Sequence, residues 1–345
     1  MLKSDVQLQG ALRVIDRRYR LSVRLIDIAD ASVVWAENYD AEVDPARLLD
    51  SESAIAAKVA TAVAQPYGVV FRTDAARLER ETPNDWAPYQ CTLAYYAYRA
   101  DLNPQAHSAV ERCLEKTTVA FPTYSTAWAL LSLTYLDEVR FRYAVGGGSA
   151  PPLERAFDAA RRALDLDPSN ARALQSYMTA LFFSQDVEAA MKVRARAIAI
   201  NPNDTELLAE YGLRLALTGE WARGRDLMLN VLDRNPGPLG YYESVVALCY
   251  YMLGGYGSAG VWIGKAKLSA NPIYHVIAAA IYGQLGRREE AEAERQWLVK
   301  AAPEFLTELP KVIRMRSIRP KDETHLLDGL AKAGLISLES GKQQG

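Results

Sequence analysis

Hydrophobic and polar positions follow two different periods along this chain. In the first 40 residues, apolar side chains occupy alternate positions, as at Val6, Leu8, Leu12 and Val14, which is typical of half-buried β-strands. From about residue 86 onward, large apolar side chains recur at intervals of three and four residues, which is typical of one face of a helix. The sequence therefore predicts a mainly α protein in which a small α/β domain precedes a helical array.

The α/β domain is predicted over residues 1–70 as a three-stranded antiparallel sheet plus one helix. The polar residues 16–18 separate the first two apolar runs, so we expect these runs to form a hairpin. A third apolar run extends from Val33 to Tyr39 and predicts the third strand. The sheet edges are left unpaired in this arrangement, so self-association through residues 6–40 is expected.

One helix is expected to follow the sheet. It begins at Asp44-Pro45, where an N-cap residue precedes a proline, and it ends near Gln65-Pro66. Its buried face is predicted to consist of four apolar side chains: Leu48, Ile55, Val59 and Val63. The polar residues 71–84 are expected to be a linker to the helical array.

Prolines recur at a fixed interval in the helical part of the chain. Pro168, Pro202 and Pro236 lie 34 residues apart, and a proline ends a helix because it lacks an N–H and clashes with the preceding turn. Twelve residues before each proline stands a small residue that lets two helices approach closely: Ala156, Ala190 and Gly224. A period of 34 residues is typical of a two-helix repeat whose units bury their apolar faces against neighbouring units.

This pattern resembles the tetratricopeptide repeat, and it extends over residues 85–303 as about six helical-hairpin units. One unit is longer than the others, which predicts an insertion at residues 137–152. Residues 304–336 are expected to form C-terminal capping helices, and residues 337–345 a disordered tail. The resemblance implies a tetratricopeptide-type α-solenoid.

Stacks of this kind present the inner face of the first helix of each unit as a groove for other molecules. Aligning the repeats predicts nine groove residues: Arg172, Gln175, Thr179, Phe183, Glu206, Leu213, Tyr241, Ser244 and Tyr251. Aromatic and arginine side chains are typical of binding hot spots, but tyrosine is also a normal packing residue in this repeat, so both interpretations stay open. We expect a protein or peptide partner in this groove.

Short segments at both ends of the chain resemble a group of bacterial regulators. Residues 9–13, 23–27 and 34–40 are similar to the second half of a TolB-like domain, and residues 319–322 and 326–335 are similar to the closing helix of the same group. In that group the TolB-like domain lies between an effector module and a tetratricopeptide tail. The resemblance implies the regulatory tail of a bacterial signalling protein, which binds a protein segment or its own effector domain.

Two alternatives follow from the effectors of that group. One is an adenylate or guanylate cyclase, in which cyclic nucleotide synthesis belongs to a catalytic domain outside this chain. The other is a tetratricopeptide-containing transcriptional regulator with a winged-helix DNA-binding domain. The first half of the TolB-like domain, which should precede Val6, is missing, and this favours a tail separated from its effector.

Composition limits the cellular compartment and the class of partner that are expected. A net charge of −2 and a pI of about 6.1 give no general attraction to nucleic acid or anionic lipid, so neither is an expected partner. Cys91, Cys113 and Cys249 are widely spaced and predict neither a disulfide framework nor a zinc site. No apolar run resembles a signal peptide or a membrane span. We therefore expect a cytoplasmic protein in a reducing compartment.

No catalytic, metal-binding or cofactor-binding residue is predicted. His107, His275 and His325 lie in separate helical segments, and none has the partner four residues away that a helical metal-binding pair needs. Residues 260–266 are one residue short of a phosphate-binding loop and follow a helix rather than a strand. The expected function is a non-enzymatic interaction module.

Overall fold

The computed structural model describes residues 6–28, 30–42, 48–64, 68–70, 87–143, 150–235 and 240–336. The chain divides into two compact units. The first comprises Met1–Glu81 with Arg234–Gly237, and the second comprises Thr82–Asp233 with Pro238–Gly345. The predicted linker 71–84, the predicted tail 337–345 and Pro236 lie outside the described residues.

The first unit contains a three-stranded antiparallel sheet, as predicted. The strands are β1 Val6–Ile15, β2 Arg18–Asp27 and β3 Val33–Glu42, in the order β1-β2-β3. Residues Val6 and Asp27 pair at one end of the β1–β2 hairpin. Asp16 starts the turn with a φ of 55°, a left-handed conformation that aspartate tolerates better than most residues.

The central strand carries most of the buried side chains of the sheet. Tyr19, Val23 and Leu25 on β2 are buried. In contrast, Leu12 and Ile15 on the edge strand β1 are 62% and 71% exposed, although the alternating pattern predicts a half-buried strand. The sheet face is only partly covered, because a groove of about 910 Å³ separates β1 and β2 from the following helix.

Helix α1, Leu48–Ala64, follows the sheet. Its side chains Ile55, Val59 and Val63 are half-buried and line the groove against the sheet. The predicted start at Asp44-Pro45 and end at Gln65-Pro66 lie outside the described residues.

The second unit is built from helices in sequential pairs, which confirms the predicted mainly α fold. The paired helices are α2 Ala87–Asp101, α3 Pro104–Ala120, α4 Ser125–Phe141, α5 Pro152–Leu166, α6 Ala171–Phe183, α7 Val187–Ile200, α8 Thr205–Leu217, α9 Trp221–Arg234, α10 Gly240–Met252, α11 Tyr256–Lys265, α12 Pro272–Leu285 and α13 Arg288–Ala301. Except in the α4–α5 pair, two or three residues join the two helices of a pair, so these helices run antiparallel.

Polar residues in the turns fix where several of these helices begin. The side-chain oxygens of Asn103, Asn170 and Asn271 each accept hydrogen bonds from two backbone N–H groups of the following helix. Asp204 accepts one such bond from the N–H of Leu207. These caps satisfy donors that a helix start leaves without an intrahelical partner.

The small residue of each repeat lies at a close contact between helices. Ala156, Ala190 and Gly224 are all in the second helix of a pair and are buried. At Gly224, a Cβ atom would come within 2.7 Å of both the carbonyl oxygen of Gly212 and the Cβ of Ala216. Helices α8 and α9 therefore touch backbone to backbone at this position, which only glycine permits.

The insertion predicted at residues 137–152 is placed too early. Helix α4 continues to Phe141, and its last turn is buried. Asp137 and Arg140 form an ion pair of 3.0 Å on one face of this turn. An ion pair at this spacing stabilises the helical conformation of the turn. Residues 144–149, which include the glycine run, lie outside the described part of the chain.

The sequence predicts no disulfide framework, but the structure contains one disulfide. Cys91 on α2 and Cys113 on α3 form a disulfide, with their Cα atoms 5.6 Å apart, and Cys249 is the free, buried cysteine. The hairpin of α2 and α3 brings the two residues opposite each other, which their separation of 22 residues in the sequence does not reveal. Disulfides persist mainly in oxidising compartments, so the cysteines no longer support a cytoplasmic location.

Three C-terminal helices follow the pairs: α14 Pro303–Thr307, α15 Leu309–Arg314 and α16 Pro320–Lys332. Helix α16 packs against α10 and α12. The hydroxyl of Tyr251 on α10 donates a 2.7 Å hydrogen bond to the carbonyl of His325, and Gly329 leaves no room for a side chain beside Tyr251 and Ala280. Within the described part of the chain, no helix has the length and apolar character that a bilayer crossing requires.

Candidate protein-binding site

A network of buried charges joins the first helices of several pairs. Arg99 on α2 lies 3.0 Å from Glu210 and 3.6 Å from Glu206, both on α8. Arg214, one turn after Glu210 on the same helix, pairs with it at 2.7 Å. Arg140 on α4 lies 3.7 Å from Glu210. Glu210 is therefore shared by three guanidinium groups from three helices.

This arrangement changes the protonation of Glu210. Burial by itself raises the pKa of a carboxyl group, but the charges of Arg140, Arg214 and Arg99 outweigh that effect and lower the pKa of Glu210 to about 2. Glu210 is thus ionised throughout the physiological pH range, so its contacts with the three guanidinium groups are ion pairs.

Tyr241 on α10 extends the network to the next pair of helices. Arg140 donates a 2.9 Å hydrogen bond to the Tyr241 hydroxyl. The guanidinium carbon of Arg99 lies 4.7 Å from the centre of the Tyr241 ring, within the range of a cation–π contact. Helix α2, the first of the described array, therefore meets α8 and α10 across the inner side of the stack.

A cavity of about 60 Å³ lies beside this network. Its wall is largely apolar and comes from α4, α6, α8, α10 and α12, with Phe183, Leu213 and Ser244 among the lining residues. Three arginine residues also line it: Arg140, Arg214 and Arg316. A single water needs roughly 10–15 Å³, so the cavity has room for a small polar group such as a carboxylate.

Arg316 differs from the other arginines of the cavity because it forms no ion pair with a carboxylate of the described residues. Its guanidinium donates to two backbone carbonyls, those of Val312 at 2.5 Å and Arg140 at 2.6 Å. Burial and the nearby charges of Arg140 and Arg214 lower the pKa of Arg316 below its ordinary value. Its positive charge is therefore poorly compensated.

The buried charges of the network and of the cavity wall, taken together, also show an excess of positive charge. Four guanidinium groups face three carboxylates, which leaves one positive charge in excess. The carboxylates are Asp137, Glu206 and Glu210, and the guanidinium groups are Arg99, Arg140, Arg214 and Arg316.

No family model matches this sequence, and no curated protein matches it. Among solved structures, the chain is similar to the human IFIT1 dimer with PPP-AAAA, at a TM-score of 0.51 and 15% identity, over 87% of this chain and 73% of IFIT1. It is also similar to PilF of Pseudomonas aeruginosa, with a TM-score of 0.41 and 18% identity over 64% of this chain and 93% of PilF.

A third similar structure is YrrB, described as a TPR protein with an unusual peptide-binding site; TPR stands for tetratricopeptide repeat. Its TM-score is 0.31 at 16% identity, over 57% of this chain and 90% of YrrB. The chain has a tetratricopeptide-type solenoid fold. At these identities the similarity concerns the fold alone.

The solenoid places all nine predicted groove residues on first helices of its pairs, and all nine are buried. Phe183, Leu213, Tyr241 and Ser244 line the cavity. The surface that the sequence predicts as an open groove is therefore internal in this structure, because the inner faces of different pairs meet each other.

The other five predicted groove residues lie away from the cavity. Arg172 on α6 pairs with Asp204 at the start of α8 and also donates to Gln175. Thr179 donates a 2.9 Å hydrogen bond to the backbone carbonyl of Gln175. Glu206 accepts a 2.5 Å bond from the hydroxyl of Tyr242 on α10. Tyr251 is the residue that contacts α16, as described above.

Sequence reasoning missed the residues that carry most of the charge in the solenoid interior. These are Arg99, Asp137, Arg140, Glu210, Arg214 and Arg316. One signal was available, because Glu206, Glu210 and Arg214 follow each other at intervals of four residues and therefore share one stripe of α8. That stripe lies on the inner face rather than in solvent.

Proposed function

We propose that this chain is a non-enzymatic protein-binding module whose arginine-lined cavity accepts a carboxylate from an extended protein segment. The observation that carries the proposal is the poorly compensated charge of Arg316 beside Arg140 and Arg214 in a cavity of about 60 Å³. Hydrogen bonds between guanidinium and carboxylate groups are among the strongest in proteins, and a buried site strengthens them further. A tetratricopeptide-type fold supports an interaction role in general.

Entry to the cavity requires the turn that carries Arg316 to open. This turn follows α15 and is held from outside by two polar contacts with Gln185. The side-chain amide of Gln185 donates a 2.9 Å hydrogen bond to the carbonyl of Met315, and its oxygen accepts a 3.1 Å bond from the hydroxyl of Ser317. Exposed contacts of this kind contribute little stability, so we propose that the wall opens at this turn, with the bond from Arg316 to the Arg140 carbonyl exchanged for a bond to the incoming carboxylate.

We place this module in a bacterial signalling protein, as its regulatory tail, with an acidic segment of the parent's effector domain as the partner. The support for this context is the resemblance of the two chain ends to regulators with a TolB-like domain. A cyclase or a DNA-binding domain would be the effector. Reading the sequence that precedes this chain in its native gene distinguishes the two: a cyclase domain has two metal-binding aspartates, and a winged-helix domain has a basic segment.

The binding proposal is tested by selecting peptides against the full chain from a random library displayed on phage. We expect enrichment of segments that contain Asp or Glu, with affinity reduced at least about tenfold when the carboxylate is replaced by its amide. Enrichment without acidic residues, or binding of the PPP-AAAA of the IFIT1 structure in place of peptides, would contradict the proposal.

A second copy of this chain is proposed as a partner for the N-terminal sheet. The support is the position of β1 at the edge of the sheet that the described residues form, together with the exposed apolar side chains of Leu8, Leu12 and Val14, which are 51%, 62% and 59% exposed. Light scattering at high concentration is expected to detect a dimer that Leu12→Glu returns to a monomer. A monodisperse monomer with the sheet intact would contradict self-association.

A further inference from the structure

A second buried cluster of ionisable groups lies between α3 and α4, outside the candidate protein-binding site. His107 and Glu111 stand four residues apart on α3, and Glu138 faces them from α4. Their exposed fractions are 0%, 3% and 2%. Ionisable side chains are buried this completely only when a partner compensates their charge.

The three side chains converge on one point. A ring nitrogen of His107 and one carboxylate oxygen from each of Glu111 and Glu138 all lie within 4.8 Å of one another. Metal–ligand bonds to histidine nitrogen and to carboxylate oxygen are about 2.0–2.2 Å long. Small side-chain rotations therefore bring all three atoms to a cation placed between them.

The histidine ring is held in the orientation that a metal ligand needs. Its Nε2 atom lies 2.9 Å from the backbone carbonyl of Thr134, to which it donates as the protonated nitrogen. The ring packs edge-on against Tyr98 and Tyr143 at centroid distances of 5.6 and 5.2 Å. Metal-binding histidines are commonly fixed in this way by a carbonyl acceptor on the other nitrogen, which leaves Nδ1 with a free lone pair.

Two atoms of the cluster, Nδ1 of His107 and Oε1 of Glu138, accept no hydrogen bond from any residue that the structure describes. Arg155 compensates the cluster only in part. Its guanidinium lies 3.3 Å from Oε1 of Glu111 and 2.6 Å from Oε2 of Glu138 and therefore leaves the second Glu138 oxygen unpaired.

We propose that His107, Glu111 and Glu138 bind a first-row divalent metal ion of the zinc type. One imidazole nitrogen and two carboxylate oxygens form the mixed donor set that such ions accept, and three protein ligands leave one position for water. The ion links α3 to α4 and joins the first two helix pairs of the solenoid. The prediction that no histidine has a ligand four residues away holds only for histidine partners, because the carboxylate of Glu111 stands four residues after His107.

The test uses the purified full chain, freed of metal by a chelator and titrated with Zn²⁺ in a calorimeter. We expect one high-affinity Zn²⁺ per chain and a higher melting temperature when the metal is present. Glu138→Gln keeps the shape of the side chain, His107→Gln replaces the imidazole by an uncharged amide, and both are expected to weaken this binding at least about tenfold. Circular dichroism of both variants verifies that they fold.

Three further variants make the test specific. Glu115→Gln removes a carboxylate of the same helix that hydrogen-bonds Tyr135 at 3.0 Å, and His275→Gln removes a buried histidine from a distant pair. Neither is expected to change Zn²⁺ affinity. Arg155→Gln removes the competing cation and is expected to tighten binding. Absence of Zn²⁺ binding at micromolar concentrations, or equal affinity in wild type, Glu138→Gln and His107→Gln, would overturn the proposal.

Discussion

The guanidinium of Arg99 lies 3.0 Å from the carboxylate of Glu210, although the two residues are separated by 111 positions in the sequence. Both side chains are buried, Arg99 with an exposed fraction of 2% and Glu210 with 1%. The contact joins α2 to α8 across the inner side of the solenoid. It therefore connects helix pairs that nearest-neighbour stacking alone would leave apart.

Removal of one partner from this ion pair is expected to destabilise the solenoid. Arg99→Met leaves Glu210 with two of its three guanidinium neighbours. We therefore expect a loss of about 3 kcal/mol in the free energy of unfolding, which is the lower end of the range for removing one partner of a buried ion pair. Urea denaturation followed by circular dichroism measures this loss. The double variant Arg99→Met/Glu210→Gln is expected to lose less than the sum of the two single variants.

The exposed pair of Lys192 and Glu188 provides the matched control. These side chains also form an ion pair, at 2.7 Å, but are 75% and 82% exposed. Lys192→Met is expected to change the free energy of unfolding by less than about 0.5 kcal/mol. Equal losses in the free energy of unfolding for Arg99→Met and Lys192→Met would show that the buried ion pair stabilises the solenoid no more than the exposed pair does.

Acid is expected to weaken the solenoid through Glu210. The pKa of Glu210 is about 2 in the folded chain and 4.5 ordinarily, so the folded state favours the ionised form. The corresponding stability, about 3 kcal/mol, is fully present above pH 4.5 and is lost as the pH falls toward 2. Denaturation curves between these pH values test this, and Glu210→Gln is expected to remove that part of the pH dependence.

The local part of the fold could be predicted from the sequence. Helix pairs are specified by the 34-residue recurrence of Pro168 and Pro202 and by the small residues that precede them, because each repeat contacts mainly its neighbours. The contact between Arg99 and Glu210 could not be predicted in this way. It depends on how far the stack curves, and curvature accumulates from small rotations at every repeat.

Backbone contact between α8 and α9 is expected to exclude any side chain at position 224. Gly224→Ala places a Cβ within 2.7 Å of the Gly212 carbonyl oxygen, so we expect a loss of about 1–3 kcal/mol in the free energy of unfolding. Gly264→Ala is the control, because nothing lies within 4 Å of a Cβ at that helical position. There, alanine is expected to stabilise by about 0.5–1 kcal/mol, and a similar gain at position 224 would contradict the close contact.

Reduction of the disulfide is expected to destabilise the hairpin of α2 and α3. Cys91 and Cys113 close a loop with a sequence separation of 22, and releasing a loop of this length costs about 3 kcal/mol in the chain-entropy model. Unfolding with and without a phosphine reductant measures the difference, and the variant Cys91→Ala/Cys113→Ala is expected to be insensitive to the reductant. Thiol titration of the denatured, unreduced chain is expected to find Cys249 alone, whereas three thiols would support the cytoplasmic prediction.

The candidate site was less predictable than the fold. Repeat alignment identified Tyr241 and Ser244 on the inner face, because a fixed period assigns each helix position to one face. It did not identify Arg316, which lies outside the repeats and reaches the cavity from the turn after α15. Nor did it predict that inner faces bury each other, since that result depends on contacts between residues far apart in sequence.

The proposed protein-binding role rests on the charge of Arg316, and one affinity measurement tests it most directly. A fluorescent acidic peptide obtained by selection is titrated with the wild type, with Arg316→Gln, and with Arg314→Gln, an exposed arginine on α15. We predict that Arg316→Gln weakens binding at least about tenfold, while Arg314→Gln leaves the affinity unchanged. Equal affinity of the wild type and a folded Arg316→Gln for the peptide would contradict the proposed site.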